Sequence, residues 1–143
     1  MGDLLEKAIE IAVKAHEGQK DKYDAPYIMH VLRVMNAGKT NEEKIVGVLH
    51  DLIEDTKWTA EDLKREGFTE DIVKAIECLS RNKEEESYEE FIERIALNQL
   101  AIRVKLNDLT DNMDLRRIPK LEEKDLERFN RYIAAYHRLN RDF

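Results

Sequence analysis

Apolar residues return every three to four positions along almost the whole chain, the period of a helix with one buried face. Leu4, Leu5, Ala8, Ile9, Ala12, Val13 and Ala15 predict a first helix from Asp3 to Glu17, ended by Gly18. The polar stretch Gln19 to Ala25 reads as a loop, and Pro26 suits the first turn of a second helix carrying Tyr27, Ile28, Leu32, Val34 and Met35 up to Gly38. Asn41 is placed to cap a third helix, with Glu42 and Glu43 in its first turn and Ile45, Val46, Val48, Leu49, Leu52 and Ile53 as its apolar run. Thr59 to Asp62 and Ser87 to Glu90 have the spacing of capping boxes, the first with Asp in place of Glu or Gln. They open a short helix ending at Gly67 and a sixth helix; Thr69 opens a fifth, running through Leu79. Ala101 to Met113 is the seventh, Pro119 lies in the break after it, and Leu121 to Leu139 is the last, with Leu126, Phe129, Ile133, Ala134 and Tyr136 toward the core. No stretch shows the strict alternation of a half-buried strand. The expectation is an all-α, single-domain bundle of seven to eight helices over residues 1–143.

Composition narrows the class. A chain of 143 residues can bury one core without disulfides or a structural metal. Five Gly and two Pro favour long regular elements over a turn-rich architecture. Charged residues make up 38%, well mixed, with a net charge of -7. No segment is strongly basic, so no nucleic-acid partner is expected, and an anionic substrate would need a local cluster of cations or a metal. Cys78 is the only cysteine, which excludes a disulfide framework or thiolate zinc site and reads as a core residue. No apolar run is long enough to span a bilayer, and Met1 to Leu4 lacks the character of a signal peptide; the expectation is a cytoplasmic protein with no membrane partner. Oligomeric state is not encoded in any pattern here.

Chemistry concentrates in His50-Asp51-Leu52-Ile53-Glu54-Asp55-Thr56. On a continuing helix His50 and Glu54 are i, i+4, as are Asp51 and Asp55, so one face presents an imidazole and three carboxylates that repel unless a cation neutralises them. Glu54 and Asp55 alone could be a solvated helix end. His50-Asp51, following Val46 to Leu49, needs a partner, and a mixed His and carboxylate set suits divalent Mn, Fe or Zn. In Arg103 to Met113, the residues Asp108, Asp111 and Asn112 share a face, with Val104 and Lys105 one turn earlier; alone this is an amphipathic helix with a polar stripe. His30, one turn into an apolar helix, is by itself an ordinary core histidine.

Taken together and in order, these segments resemble the hydrolase domain of the RelA/SpoT family, within the HD superfamily of metal-dependent phosphohydrolases. The resemblance covers Ala15-His16-Glu17-Gly18-Gln19, Pro26-Tyr27-Ile28-Met29-His30, His50 to Thr56, Val104-Lys105-Leu106-Asn107-Asp108 and Asn112-Met113. Synthetase and regulatory domains are missing, so the chain is more like the stand-alone small alarmone hydrolases, including the metazoan SpoT homologues. The resemblance implies that His30, His50, Asp51 and Asp108 hold one divalent ion, usually Mn²⁺. It implies that Glu54 and Asp55 act at the reacting phosphate and that Asn112 lies near the nucleotide. The implied activity is removal of pyrophosphate from the 3′ position of guanosine 3′,5′-bis(diphosphate), a small-molecule nucleotide substrate.

Two positions depart from the family pattern. Lys20 stands where an Arg packs on the guanine, and Lys is not equivalent for stacking. Val31 stands where Pro often follows the motif histidine. Lys20 leaves room for another phosphorylated nucleotide such as NADPH. A nucleotide sensor without turnover is the reading from another class, and Glu54 and Asp55 argue against it. Lys20 and Lys105, inside matched motifs, are the leading phosphate-binding cations; Lys22 and Arg116-Arg117 are further candidates. His16 reads as structural or as a support behind the site residues, His137 as partly exposed, and Trp58 as packed beside the third helix. Thr56 to Leu100 carries little of the family pattern.

Overall fold

The computed structural model describes residues 2–142, with side chains described for 4–141; Met1 and Phe143, at the ends of the expected domain, lie outside the described residues. Helix α1 spans Gly2–Ala15, α2 Ile28–Ala37 and α3 Asn41–Leu49; a single turn, α4, follows at Leu52–Asp55. Helices α5 (Ala60–Arg65), α6 (Glu70–Cys78), α7 (Tyr88–Ile95), α8 (Gln99–Asn112) and α9 (Leu126–Leu139) complete the bundle, with short 3₁₀ turns at Leu115–Arg117, Glu123–Asp125 and Asn140–Asp142. Among the described residues there is no strand, only an isolated bridge between Lys20 and Pro26. The all-α expectation therefore holds. No helix of the described residues is long and apolar enough to cross a membrane.

Helix α3 is the central element, packed against α1, α2, α6 and α8. Its Ile45, Val46, Val48 and Leu49 are all 0% exposed. Burying each such aliphatic side chain contributes about 1.5–3 kcal/mol, so the apolar run before His50 fixes α3 in the core. Gly47 lets α2 cross α3 closely: a Cβ there would lie 3.1 Å from the Met35 Cα and 3.2 Å from the Val34 carbonyl oxygen. Both are backbone atoms and cannot step aside. Gly18, at φ +83, turns the chain out of α1 into the loop before α2.

Local signals placed the starts of α5, α6 and α7. Thr59 and Ser87 form reciprocal capping boxes with Asp62 and Glu90, and Thr69 caps α6. Four other starts differ from the sequence reading. Thr40, not Asn41, caps α3, accepting from the Glu43 backbone N–H while Asn41 is already helical. Tyr27 occupies the N-cap of α2, so Pro26 precedes the helix. Helix α8 starts at Gln99, because Asn98 accepts from the Ala101 N–H. Helix α9 starts only at Leu126, and its buried residues are Phe129, Ala135 and Leu139, while Leu126, Ile133 and Ala134 are exposed. Phe129 and Tyr136 face the core as expected, but Tyr132, Ala135 and Leu139 do so in place of Leu126, Ile133 and Ala134, so the rest of the core face is rotated.

Candidate active site

The site lies where α2, α3 and α8 converge. Helix α3 ends at Leu49; His50 is its C-cap (φ -61, ψ -29) and Asp51 sits at φ -97, ψ 0, in the sparsely populated bridge region. The expected continuous helix through Asp55 is therefore broken. The turn aims His50 and Asp51 inward, whereas Glu54 and Asp55 on α4 are exposed, so a single helical face with one imidazole and three carboxylates does not form. His30, on the first turn of α2, brings its ring centroid to 5.4 Å from that of His50.

Two acceptors decide how the imidazoles are held. His50 Nδ1 is 2.6 Å from the Gly47 carbonyl oxygen, and His30 Nδ1 is 2.6 Å from Asp111 Oδ2. Each acceptor has only lone pairs to offer, so both Nδ1 atoms carry hydrogen and donate. Both Nε2 atoms then face the centre. His30 Nε2 lies 3.0 Å and His50 Nε2 3.3 Å from Asp108 Oδ1, and His50 Nε2 lies 3.1 Å from Asp51 Oδ2. Nitrogen lone pairs facing carboxylate lone pairs at these distances require a shared positive charge, a proton or a metal ion.

The titration behaviour agrees. Burial disfavours charge on His30, yet its hydrogen bonds with Asp108 and Asp111 outweigh it and raise the imidazole to about 8. Burial likewise opposes charge on His50, and Asp51 and Asp108 hold it well above its usual value. Asp51 would be pushed up by burial, but His50 brings it to about 2. For Asp108, burial is outweighed by Lys105 and the two histidines, and its carboxyl lies well below the usual range.

This donor set fits a divalent cation. His30, His50 and Asp51 offer ligand atoms within 4.8 Å of one another, and Asp108 Oδ1 faces both imidazoles. Two neutral imidazoles and two carboxylates suit Mn²⁺, Fe²⁺ or Zn²⁺. Tyr27 donates its hydroxyl hydrogen to Asp51 Oδ2, fixing that carboxylate from outside. Lys105 Nζ lies 2.9 Å from Asp108 Oδ2, and Asn112 Nδ2 donates to Asp108 Oδ1 at 3.0 Å. Lys105 is nearly buried, and its ammonium stands 5.3 Å from the centroid of the Phe91 ring.

Above the centre opens a cavity of about 530 Å³. Of the residues expected from sequence, His30, His50, Asp51, Glu54, Asp108, Lys105, Asn112 and Lys20 all line it. Glu54 Oε1 accepts from the Arg81 backbone N–H at 2.7 Å, which holds its carboxylate at the wall. Asp55 does not line this cavity; it borders an adjoining cleft with Glu54, Arg81 and Lys83. Burial, then Asp51 and Glu54, raise its carboxyl to about 6. Lys20 is at the rim, 59% exposed and 3.3 Å from Asp24 Oδ1.

Sequence reasoning missed much of the wall. Arg81 and Lys83 follow α6, Tyr88 begins α7, and Arg128, Arg131 and Tyr132 come from α9; all line the cavity. The guanidinium carbons of Arg81 and Arg131 each lie 5.5 Å from the Tyr88 ring centroid. Burial lowers the Lys22 ammonium, and Arg128, Arg131 and Lys83 add to the effect, so these cations crowd one another. The Arg81 and Arg131 Nε–H groups and the Tyr88 hydroxyl are buried without a hydrogen-bond partner among the described residues. No local pattern marks these positions, because 47 residues separate Arg81 from Arg128 and only the packing of α7 on α9 brings them together. Of the further candidates, Arg117 lines the cavity, while Arg116 turns away to Asp114.

No protein-family model matches the chain. Curated relatives do. The guanosine-3′,5′-bis(diphosphate) 3′-pyrophosphohydrolase of Aquifex aeolicus is 32% identical over 120 residues, covering 76% of this chain and 17% of its own length. That of Haemophilus influenzae is 35% identical over 117 residues, covering 72% of this chain and 17% of its own. A GTP pyrophosphokinase of Streptomyces coelicolor is 30% identical over 149 residues, covering 94% of this chain and 18% of its own. The chain thus spans under a fifth of the length of these relatives. A solved structure of a metazoan SpoT orthologue described as hydrolysing ppGpp superposes with a TM-score of 0.79 at 22% identity, over 95% of this chain and 84% of that one, and shares the fold. The chain belongs to the RelA/SpoT family and carries its hydrolase-type helical domain.

Proposed function

We propose that this protein hydrolyses guanosine 3′,5′-bis(diphosphate), releasing pyrophosphate from the 3′ position. The observation that carries the reading is the placement of His30, His50, Asp51 and Asp108 at the floor of a cavity whose walls are crowded with cations. The four floor residues would hold one divalent ion, Mn²⁺ in this reading. When bound, that ion supplies positive charge at the reacting phosphate and eases deprotonation of water there.

The remaining steps fall to the chain's own groups. Lys105 and Asn112, both anchored on Asp108, are placed to hold phosphate oxygens beside the floor. Water attacks the phosphorus next to the 3′ oxygen, the bond between them breaks, pyrophosphate departs and the 3′ oxygen takes up a proton. Glu54, fixed by the Arg81 N–H at the wall, takes the proton of the attacking water. Asp55 is the neighbouring carboxyl, raised to about 6 and able to hold a proton near neutrality. The second diphosphate meets the cations around Tyr88, whose unpartnered N–H and O–H groups it would satisfy. Lys20, exposed at the rim, is assigned to the base end. The net charge of -7 makes this local cluster, and not long-range attraction, the source of affinity.

The test is product analysis with guanosine tetraphosphate, comparing Mn²⁺-loaded with metal-stripped protein. Metal-dependent appearance of GDP and pyrophosphate in equal amounts is expected. A folded, metal-bound protein that leaves this nucleotide intact but releases phosphate from NADPH would move the substrate assignment while keeping the centre. Binding of either nucleotide with no turnover would make the protein a sensor.

A further inference from the structure

The two imidazoles of the centre are oriented by different means. His50 donates to the Gly47 carbonyl three residues earlier, so its orientation follows from the backbone of α3. His30 has no such local acceptor. Its Nδ1–H reaches Asp111, 81 residues away on α8 and only 9% exposed. Asp111 is in turn clamped. Arg33 Nε donates to Oδ1 at 2.7 Å and its Nη2 to Oδ2 at 3.2 Å, while Arg117 Nη2 donates to Oδ2 at 3.1 Å and to the Asp111 backbone carbonyl.

Two guanidinium groups hold one nearly buried carboxylate. They hold both oxygens of Asp111, with Oδ2 2.6 Å from His30 Nδ1. A carboxylate on the distal nitrogen fixes the ring's tautomer and makes Nε2 a stronger donor than a neutral acceptor can. Arg117 also lines the cavity, and its Nη1 lies 3.8 Å from Asp21 Oδ2, in the loop that carries Lys20 and Lys22. The same clamp that orients His30 therefore tethers that loop.

We infer that Asp111 is a positioning residue of the metal centre: held by Arg33 and Arg117, it fixes His30 as an Nε2 donor and ties the centre to the 19–25 loop. This rests on the reading of His30, His50, Asp51 and Asp108 as metal ligands.

The experiment uses Zn²⁺, which is diamagnetic, as the probe, with histidine-labelled protein. In the Zn²⁺-loaded wild type, both Nδ1–H protons are expected far downfield and protected from exchange with water. Asp111→Ala is expected to lose the His30 signal, keep the His50 signal, and bind Zn²⁺ 10–100-fold more weakly. Asp111→Asn, whose amide oxygen still accepts from Nδ1–H, is expected to recover the signal and most of the affinity. Wild-type protein that binds no Zn²⁺ would sink the metal reading and this inference with it. Wild-type protein that binds Zn²⁺ without a protected His30 Nδ1–H would overturn the inference alone, whether or not the Ala variant folds. So would a folded Asp111→Ala with unchanged affinity, or one that loses both histidine signals alike.

Discussion

Lys105 offers the sharpest test of the electrostatics at the floor of the site. Its ammonium lies 2.9 Å from Asp108 Oδ2 and 5.3 Å from the Phe91 ring centroid, and its side chain is 12% exposed. Lys105→Met keeps the apolar stem and removes the charge. Breaking a buried pair by deleting one partner costs about 3–5 kcal/mol, because the other charge is left uncompensated. Asp108 also faces His30 and His50, both of which are raised and can carry a proton, so the lower end, about 3 kcal/mol, applies to the metal-free protein. A divalent ion at the floor compensates Asp108 far better than an imidazolium does, so saturating metal should remove at least half of that cost, about 1.5 kcal/mol. Linkage then requires the variant to bind metal more tightly by the same amount, about tenfold. The assay is urea unfolding with and without Mn²⁺, paired with a direct metal titration. A variant that loses about 3 kcal/mol without metal, less with it, and binds Mn²⁺ about tenfold more tightly supports the reasoning. Equal destabilisation in both conditions, or weaker metal binding, refutes it. Turnover of the nucleotide should fall in the same variant despite the tighter metal, since the ammonium proposed to hold phosphate is gone.

Other expectations follow from single features of the site. Asp55 is raised from 3.8 to about 6, first by burial and then by Asp51 and Glu54. At pH below 3.8 it is neutral both folded and unfolded; as pH rises through 6 the folded protein must carry the crowded charge, so the relative stabilisation is lost. Asp55→Asn should therefore raise the Tm of metal-free protein at pH 8 and leave it nearly unchanged at pH 3.5, and a pH-independent shift would contradict this. Glu54→Gln should retain metal affinity within a few-fold and lose about 10²–10⁴ in kcat, and full activity would remove Glu54 from the chemistry. Gly47→Ala would press a methyl group on the Met35 backbone at 3.1 Å and should cost about 1–3 kcal/mol in chemical denaturation, with none of that cost if α2 does not cross α3 there.

The sequence by itself determined the helices and the floor of the site. The 3.6-residue period and the caps at Thr59, Thr69 and Ser87 are local effects, each satisfied within a few residues, so they are legible one segment at a time. His30, His50, Asp51 and Asp108 were legible because a buried imidazole or carboxylate in an apolar run demands a partner, and because the segments resemble those of a known family. Local reading failed where tertiary packing overrides it. The helix through His50 continues on propensity alone, yet the chain turns at Asp51, sending Glu54 to the Arg81 backbone and Asp55 to the adjoining cleft. The core face of α9 rotates in part: Phe129 and Tyr136 point inward as expected, but Tyr132, Ala135 and Leu139 take the inward places expected of Leu126, Ile133 and Ala134.

Only the tertiary structure decided the walls. Arg81, Lys83, Tyr88, Arg128 and Arg131 look like surface charges and one aromatic when read in order, since a cation's meaning depends on which others it faces. Asp111 shares a helical face with Asp108 in sequence, but nothing along α8 says that its partner is an imidazole on α2. A periodic pattern records which side of an element is buried. It does not record against whom, and the long-range contacts that gather single charges into a cation-lined cavity exist only once α2, α3, α7, α8 and α9 have packed.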